Sequence, residues 1–194
     1  MQVNNKRLVP AGIGWKTLAI LTIVTLSSFT VSKWIKTKLP DGVTVSVPEE
    51  LLPMTPEDIA LRFPSVRAPL GAFSNSDRLV DFSVNISATS WPDGNTELAG
   101  KFFKSSLQNL YDRLDMISEG TKVIKKKKYV YFEFESRVSG DRRQGLQDPI
   151  MKYVFIQYLV LKDKTLVFTF SCPKDMREDW QPVAHDIMKY VRVK

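Results

Sequence analysis

The sequence has few of the residues that build cross-linked or metal-binding sites. It contains one cysteine, Cys172, and one histidine, His185, among 194 residues. A single cysteine excludes an intramolecular disulfide and a Cys-rich metal site, and a single histidine leaves one member for any His-based site. Cys172 follows Phe170 at period two in a strand pattern, which predicts a small buried side chain rather than a reactive thiol.

Catalytic motifs are missing as well. There is no phosphate loop, nucleophile elbow or dinucleotide fingerprint. Glu133 and Glu135 lie on one side of a predicted strand, about 7 Å apart, and we interpret them as partners of lysines on a neighbouring strand. His185 has Lys189 and Arg192 as helical neighbours, which indicates a solvated face. We therefore expect a protein without enzymatic activity, cofactor or metal ion.

Acidic residues are absent from positions 1–38, which carry six of the 28 basic residues. The rest of the chain holds 22 basic and 21 acidic residues, so the net charge of +7 belongs almost entirely to the N-terminal part. A general nucleic-acid binder needs one broadly positive face. The near-neutral body therefore argues against a nucleic-acid partner.

The N-terminal part contains an uncharged run of 16 residues, TLAILTIVTLSSFTVS, between Lys16 and Lys33. A spanning helix needs about 20 apolar residues, and upstream residues with a snorkelling lysine extend the run. We predict a tail and transmembrane anchor over residues 1–38, with the helix at about 12–34. The predicted membrane-interface residues are Trp15, Lys16, Lys33 and Trp34. A cleaved signal peptide and a buried soluble helix are the alternatives.

The orientation of this anchor is not fixed by charge, because three basic residues precede the apolar run and three follow it. We expect a single-pass membrane protein with its globular part outside the cytoplasm, in the periplasm. The turn Leu39–Gly42 leaves almost no linker, so the globular domain, residues 39–194, should sit close to the membrane.

The globular part predicts the element order β-α-ββ-α-ββ-ββ-α, an α+β domain with helices packed on a mostly antiparallel sheet. Thr55 and Asn95 are predicted helix caps, the second of a helix over residues 97–114. SNSD and the short turn KDK are predicted to join strand pairs. A last helix should begin near Trp180 or Pro182.

Two surface features are the predicted contacts for a protein partner. Trp91 precedes a PDG turn and is either an aromatic anchor for a partner or a residue packed over the sheet edge. Arg142 and Arg143 lie in a long polar loop, residues 139–149, which is either functional or disordered. The oligomeric state is left open by the sequence.

Four lysines precede the strand YVYFEFES, and we interpret them as a solvated hairpin turn that discourages edge pairing. The alternative is contact with anionic lipid, because the domain is expected near a membrane. The residues concerned are Lys125, Lys126, Lys127 and Lys128.

The order of elements resembles the PsbP/Mog-like superfamily, which includes the DcrB-type envelope proteins and the Eag-type secretion chaperones. The resemblance covers roughly residues 41–194 and rests on the opening GVTVSVP, the long helix after a strand, and the ending YLVLKDKTLVFTFSCPKD with Trp180, Pro182, Ile187 and YVRV. A Thr-Phe-small-x-Pro exit is typical of this ending and is formed by Thr169, Phe170, Ser171 and Pro173. Many relatives have a Gly-containing turn in place of Lys125–Lys128, and the Eag-type chaperones lack an anchor.

The resemblance implies a fold of non-enzymatic adaptors, accessory subunits and chaperones. Our leading hypothesis is a membrane-anchored accessory module of the bacterial cell envelope that binds a protein partner. The alternative is a chaperone or adaptor for hydrophobic segments of secreted or membrane proteins, and a more distant one is a small-ligand binder with a groove between helix and sheet.

Overall fold

The computed structural model describes residues 33–64, 67–91, 94–138 and 149–194. These residues form ten strands and three α-helices, and a 3-10 turn at Lys174–Met176 precedes the last helix. The strands are β1 Trp34–Lys38, β2 Val43–Pro48, β3 Leu52–Pro53, β4 Gly71–Ser74, β5 Asp81–Ile86, β6 Arg113–Ile124, β7 Lys127–Val138, β8 Ile150–Val160, β9 Thr165–Pro173 and β10 Arg192–Val193; the helices are α1 Pro56–Arg62, α2 Thr96–Leu110 and α3 Arg177–Tyr190. This is the α+β class that the sequence predicts.

The main sheet has seven strands in the order β3-β4-β5-β9-β8-β7-β6, and every neighbouring pair is antiparallel. Its central strands are buried on both faces, which explains why β7 to β9 are rich in aromatic and branched residues. In β7, Val130, Phe132 and Phe134 are buried under α2. Tyr129 and Glu133, which point to the other face, are buried as well. The core therefore has two layers, one on each face.

Helix α2 covers the first face. Its N-cap is Asn95, whose side-chain oxygen accepts a hydrogen bond from the Leu98 N–H at 3.0 Å, as the sequence predicts. Phe103 stacks on Tyr158 of β8 with ring centroids 4.0 Å apart. The helix ends at Leu110 rather than at residue 114, because Tyr111 is extended and its ring packs on Phe134.

Helix α3 covers the other face together with a second sheet of three strands in the order β1-β2-β10. The helix begins at Arg177, several residues earlier than the sequence suggests, because it continues directly from the 3-10 turn. Pro182 lies inside its second turn. Only the bond to the Glu178 carbonyl is lost there, so the helix tolerates the proline.

Strand β1 corrects the predicted boundary of the anchor. The sequence predicts an anchor through residue 38, with its helix at about 12–34, but Trp34–Lys38 pair with β2 from Trp34↔Pro48 to Lys38↔Thr44. The ring of Trp34 also meets the ring of Tyr190 edge-on at 6.0 Å. β1 is part of the same compact unit as the rest of the described chain, so the globular part begins upstream of residue 39.

The remainder of the predicted anchor, including Trp15 and Lys16, lies outside the described residues. Within residues 33–64, 67–91, 94–138 and 149–194, none of the helices is both long and apolar enough to cross a membrane.

The four lysines form the predicted hairpin turn. Strand β6 ends at Ile124 and pairs with Lys127 at the start of β7. Between them, Lys125 and Lys126 both have positive φ angles, 49° and 68°. Positive φ at both central residues is what a two-residue hairpin loop requires to match the twist of the strands.

Candidate functional site

A polar cluster lies between the main sheet and α3. Strand β7 contributes Glu133 and Glu135, which project towards α3 as alternate residues of one strand must. Strand β8 contributes Tyr153, opposite Glu135 in the register. Helix α3 and its preceding 3-10 turn supply the basic and amide groups that reach these carboxylates.

Glu133 is the centre of the cluster and only 2% of it is exposed. Its Oε1 accepts hydrogen bonds from the Tyr153 hydroxyl at 2.7 Å and the Gln181 Nε2 at 2.6 Å. The His185 Nε2 lies 3.0 Å from the same oxygen. Burial alone would raise the pKa of Glu133, but the hydrogen bonds from His185, Tyr153 and Gln181 outweigh it and lower this pKa to about 2.

Glu135 is bound by two cations. Lys174 Nζ lies 2.6 Å from its Oε2, and Arg177 Nη1 lies 2.9 Å from its Oε1. The hydrogen bond from Lys174 is the main cause that holds the pKa of Glu135 below its usual range. The Arg177 Nε also donates to the Gln181 Oε1 at 3.2 Å, which joins the two carboxylates into one network.

An open cleft of about 650 Å³ borders this network on the side of Glu135. Its lining is charged with both signs: Lys174 and Arg177 are basic, and Asp175 and Glu178 are acidic. Groups of this kind bind polar ligands by paired hydrogen bonds rather than by apolar burial. The cleft is therefore the described cavity that best fits a small polar ligand.

Lys122 approaches the cluster from β6. Its Nζ lies 4.5 Å from the ring centroid of Phe155 and 5.1 Å from that of Tyr131, at cation–π distance. Burial lowers the pKa of Lys122 to about 8, against the opposing charge of Glu133. The amine is thus held by aromatic faces.

The hydrogen bonds and ion pairs of this cluster join its groups to one another. One oxygen of Glu133, Oε1, has three partners, and the nearby thiol of Cys172 is buried with its pKa raised to about 12 by burial. Among the residues that the structure describes, no group of three potential metal ligands comes together.

A second surface, the α2 ridge, is formed by three large apolar residues of α2: Leu98 and Phe102, one turn apart, and Leu110 at the end of the helix. All three are exposed although they are large and apolar. Trp91 packs beside them, with its ring 5.5 Å from that of Phe102 in an edge-on arrangement. The indole N–H of Trp91 is buried and has no hydrogen-bond partner within the described part of the chain.

The structure brings few of the predicted site residues together. Trp91 is half-buried against α2, Lys125, Lys126 and Lys128 are exposed, and Lys33 is held beside β2 because its carbonyl accepts the Glu49 N–H at 2.8 Å. Arg142 and Arg143 lie outside the described residues.

The carboxylate network was missed from the sequence. His185 is half-exposed, as expected of a helix surface, but it also reaches Glu133. The hydrogen-bond partners of the two glutamates come from α3, its 3-10 turn and Tyr153 of β8, and among the described residues none of them is a lysine on a neighbouring strand. The available signal was the i, i+4 spacing of Gln181 and His185, opposite two acids in an otherwise aromatic strand.

Comparison with known proteins rests on structure alone, since no family model and no curated protein matches this sequence. The solution structure of cyanobacterial PsbP (CyanoP) from Synechocystis is similar, with a TM-score of 0.58, 12% identity, and coverage of 89% of this chain and 99% of that one. The Ran-binding protein Mog1p of Saccharomyces cerevisiae gives 0.54 and 13%, with coverage of 84% and 96%.

A third similar structure is LpqN of Mycobacterium tuberculosis, a protein involved in cell envelope biogenesis. Its TM-score is 0.50 at 12% identity, with coverage of 82% of this chain and 89% of that one. Identities this low speak for the fold and not for a shared role. The chain has the PsbP/Mog-like fold.

Proposed function

We propose that this chain is a non-enzymatic accessory module that binds a protein partner through the α2 ridge. The observation that carries the proposal is the ridge itself, where Leu98, Phe102 and Leu110 are exposed on a helix whose other side is fully packed. A partner that covered them would bury apolar surface, which is the main source of association energy. Mog1p, which has the same fold, is a Ran-binding protein.

The α2 ridge is a rigid binding surface. Ala99, Phe103 and Leu107 are buried and fix the helix to the sheet. A partner would therefore meet a preformed row of side chains and lose little conformational freedom on binding. Exposed aromatic side chains next to smaller apolar ones are typical of interface centres.

The test is a photo-crosslinking amino acid placed at Phe102 in the full chain, in its native cells. The control carries it at Leu61, another exposed apolar residue, on α1. We expect a discrete crosslinked species from position 102 and none from position 61. Equal crosslinking from both positions, or none from either, would contradict binding through the ridge.

The proposal includes a place for the module, an N-terminal anchor with the globular part outside the cytoplasm, in the bacterial envelope. It is supported by the apolar run before Lys33 and by the fold that is shared with the envelope protein LpqN. Topology reporters fused after Lys194 check it. Activity of a reporter that works only in the cytoplasm would reject this placement.

The same reporter result would favour the alternative role, a chaperone or adaptor for hydrophobic segments at the cytoplasmic face. In that case the α2 ridge would hold an apolar segment of the client. Client capture would then depend on Phe102 and compete with a synthetic apolar helix.

A small polar ligand is the second candidate function, favoured by the cleft of about 650 Å³ beside Glu135 and Arg177. A thermal-shift screen of small polar metabolites tests it, with Arg177→Gln as the matched variant. A shift that persists in this variant would place the ligand elsewhere.

A further inference from the structure

The outer face of the three-stranded sheet carries basic and aromatic side chains. On β2, Val43, Val45 and Val47 point inwards and are buried in the core. The alternate residues of β2, Thr44, Ser46 and Pro48, pair with the neighbouring strands. The pairs are Trp34↔Pro48, Lys36↔Ser46 and Lys38↔Thr44 with β1, and Arg192↔Thr44 with β10. Paired residues point to the same side of a sheet, so these side chains share the outer face. We call Trp34, Lys36, Lys38 and Arg192 the basic face.

The end of α3 extends the basic face. Tyr190 directly precedes the residues that lead into β10, and its ring meets that of Trp34 at 6.0 Å across the central strand. Trp34 is 36% and Tyr190 45% exposed. The Lys189 Nζ lies 5.4 Å from the Tyr190 ring centroid. Two large aromatic rings are thus left half in solvent among basic groups.

The lysine turn, Lys125–Lys128, adjoins the same sheet. Lys127 Nζ donates a hydrogen bond to the carbonyl oxygen of Lys194 at 3.2 Å. Lys194 in turn donates its N–H to the Gly42 carbonyl at 3.1 Å, at the start of β2. Basic residues from three separate parts of the sequence therefore meet at one sheet.

Acidic groups do not cancel this charge along β1 and β10, which contain none. Asp41, in the turn between β1 and β2, is already paired with Lys164 at 3.1 Å. Glu49 and Glu50 follow β2 and lie at its Trp34 end. The remainder of the face has no acidic residue in its strands.

Tryptophan and tyrosine rings beside lysine and arginine match the chemistry of a bilayer interface, where rings lie at headgroup depth and cations meet anionic lipid. We propose that the basic face, with Tyr190 and the lysine turn, binds the surface of a bilayer that contains anionic lipid. This contact goes beyond the proposed protein-binding role and does not require the predicted anchor. It accounts for the exposure of Trp34 and Tyr190, which a purely solvated sheet face does not.

The test uses the full chain with a fluorophore at Ser46→Cys, in the middle of the face, mixed with nanodiscs that contain a quencher-labelled lipid. Labelling is selective because Cys172 is buried in β9. We expect more quenching in phosphatidylserine discs than in phosphatidylcholine discs, and high salt should remove the difference. A fluorophore at Asn109→Cys, on the exposed side of α2, is the position control.

The charge test is the triple variant Lys36→Gln, Lys38→Gln, Arg192→Gln, which should lose the additional quenching in phosphatidylserine discs. If the chain dissociates from the discs, its affinity for phosphatidylserine discs should fall on the order of 10²-fold for three charges. The matched variant Lys101→Gln, Lys104→Gln, Arg113→Gln removes the same charge from positions on α2 and β6. It should keep the additional quenching in phosphatidylserine discs. Thermal unfolding confirms that both variants fold.

The proposal would be overturned by equal quenching at Ser46→Cys in both lipids. It would also be overturned if the variant of Lys36, Lys38 and Arg192 kept the additional quenching in phosphatidylserine discs. Failure of the anchor has a different signature, since the wild-type chain would then leave phosphatidylcholine discs while it still binds phosphatidylserine discs. Failure of protein binding is read separately, by the crosslink at position 102.

Discussion

The two faces of the main sheet are built from the same strands but by different chemistry. Under α2 the layer is mainly apolar, with Phe103 stacked on Tyr158 and packed against Phe132 and Phe134. Under α3 the same strands place Glu133 and Gln157 among aromatic neighbours. An apolar layer holds its helix through buried apolar surface and does not involve the solvent-facing side of that helix. A polar layer fixes the direction of its groups and opens a charged cleft at its border.

The largest loss of stability should follow from truncating a side chain of the apolar layer. Phe103→Ala removes the stacked ring and leaves a cavity, so we expect the free energy of unfolding to fall by about 3–5 kcal/mol. Urea denaturation measures it. Phe102→Ala is the matched control on the same helix, and its exposed ring should cost less than about 1 kcal/mol. Similar losses for both variants would show that α2 is not held by this layer.

The contribution of the polar layer to the free energy of unfolding should depend mainly on pH. Because the pKa of Glu133 is lowered from 4.5 to about 2, its contribution is complete above pH 4.5 and is lost as the pH falls towards 2. This shift corresponds to about 3 kcal/mol at most. Glu133→Gln should therefore lower the free energy of unfolding by about 2–3 kcal/mol at pH 7, where one amide oxygen replaces a charged acceptor.

The variant should also lose less stability than the wild type between pH 4.5 and 2, as measured by thermal unfolding at each pH. Glu119→Gln, an exposed partner of Lys104 near the α2 face, serves as the control and should change stability by less than about 1 kcal/mol. An unchanged acid limb in Glu133→Gln would mean that other carboxylates, such as Glu135, dominate it.

Gln157 belongs to the polar layer, but its replacement should stabilise the protein. It is fully buried, and neither atom of its amide has a hydrogen-bond partner among the described residues. Gln157→Leu should therefore raise the free energy of unfolding by about 1–2 kcal/mol, since an unpaired buried amide is replaced by an apolar group of similar size. Gln181→Leu should lower it, because that amide donates to Glu133. A loss in both variants would reveal a bound water at Gln157.

The two faces also differ in how well the sequence predicts them. The α2 layer follows from periodicity: Ala99, Phe103 and Leu107 recur at helical spacing, and the strands beneath alternate. The end of α2 was wrong because Leu110 and Leu114 continue the period, although the first is exposed and the second lies in β6. Periodicity along the chain cannot tell a buried stripe from an exposed one.

The α3 layer could not be read in this way, because its contacts join residues far apart in sequence. Glu133 meets His185 across 52 positions, and no local pattern pairs them. Strand β1 was missed for a related reason. The strand has five residues, most of them exposed, without a buried alternating face, and it is defined by its pairing with β2.

The lysine turn joins β6 to β7, and these strands contribute to both faces. A change in the turn should therefore affect both layers equally. Its effect on the free energy of unfolding should be the smallest of the four changes. Lys125 and Lys126 adopt positive φ angles that a side chain with a Cβ disfavours by about 1 kcal/mol each. Lys125→Asn with Lys126→Gly, the residues such a turn prefers, should raise the free energy of unfolding by about 1 kcal/mol in urea denaturation. Replacing both lysines by glutamine keeps the backbone conformation and removes the charge. An equal gain from that control would assign the effect to repulsion between the lysines instead of to the backbone.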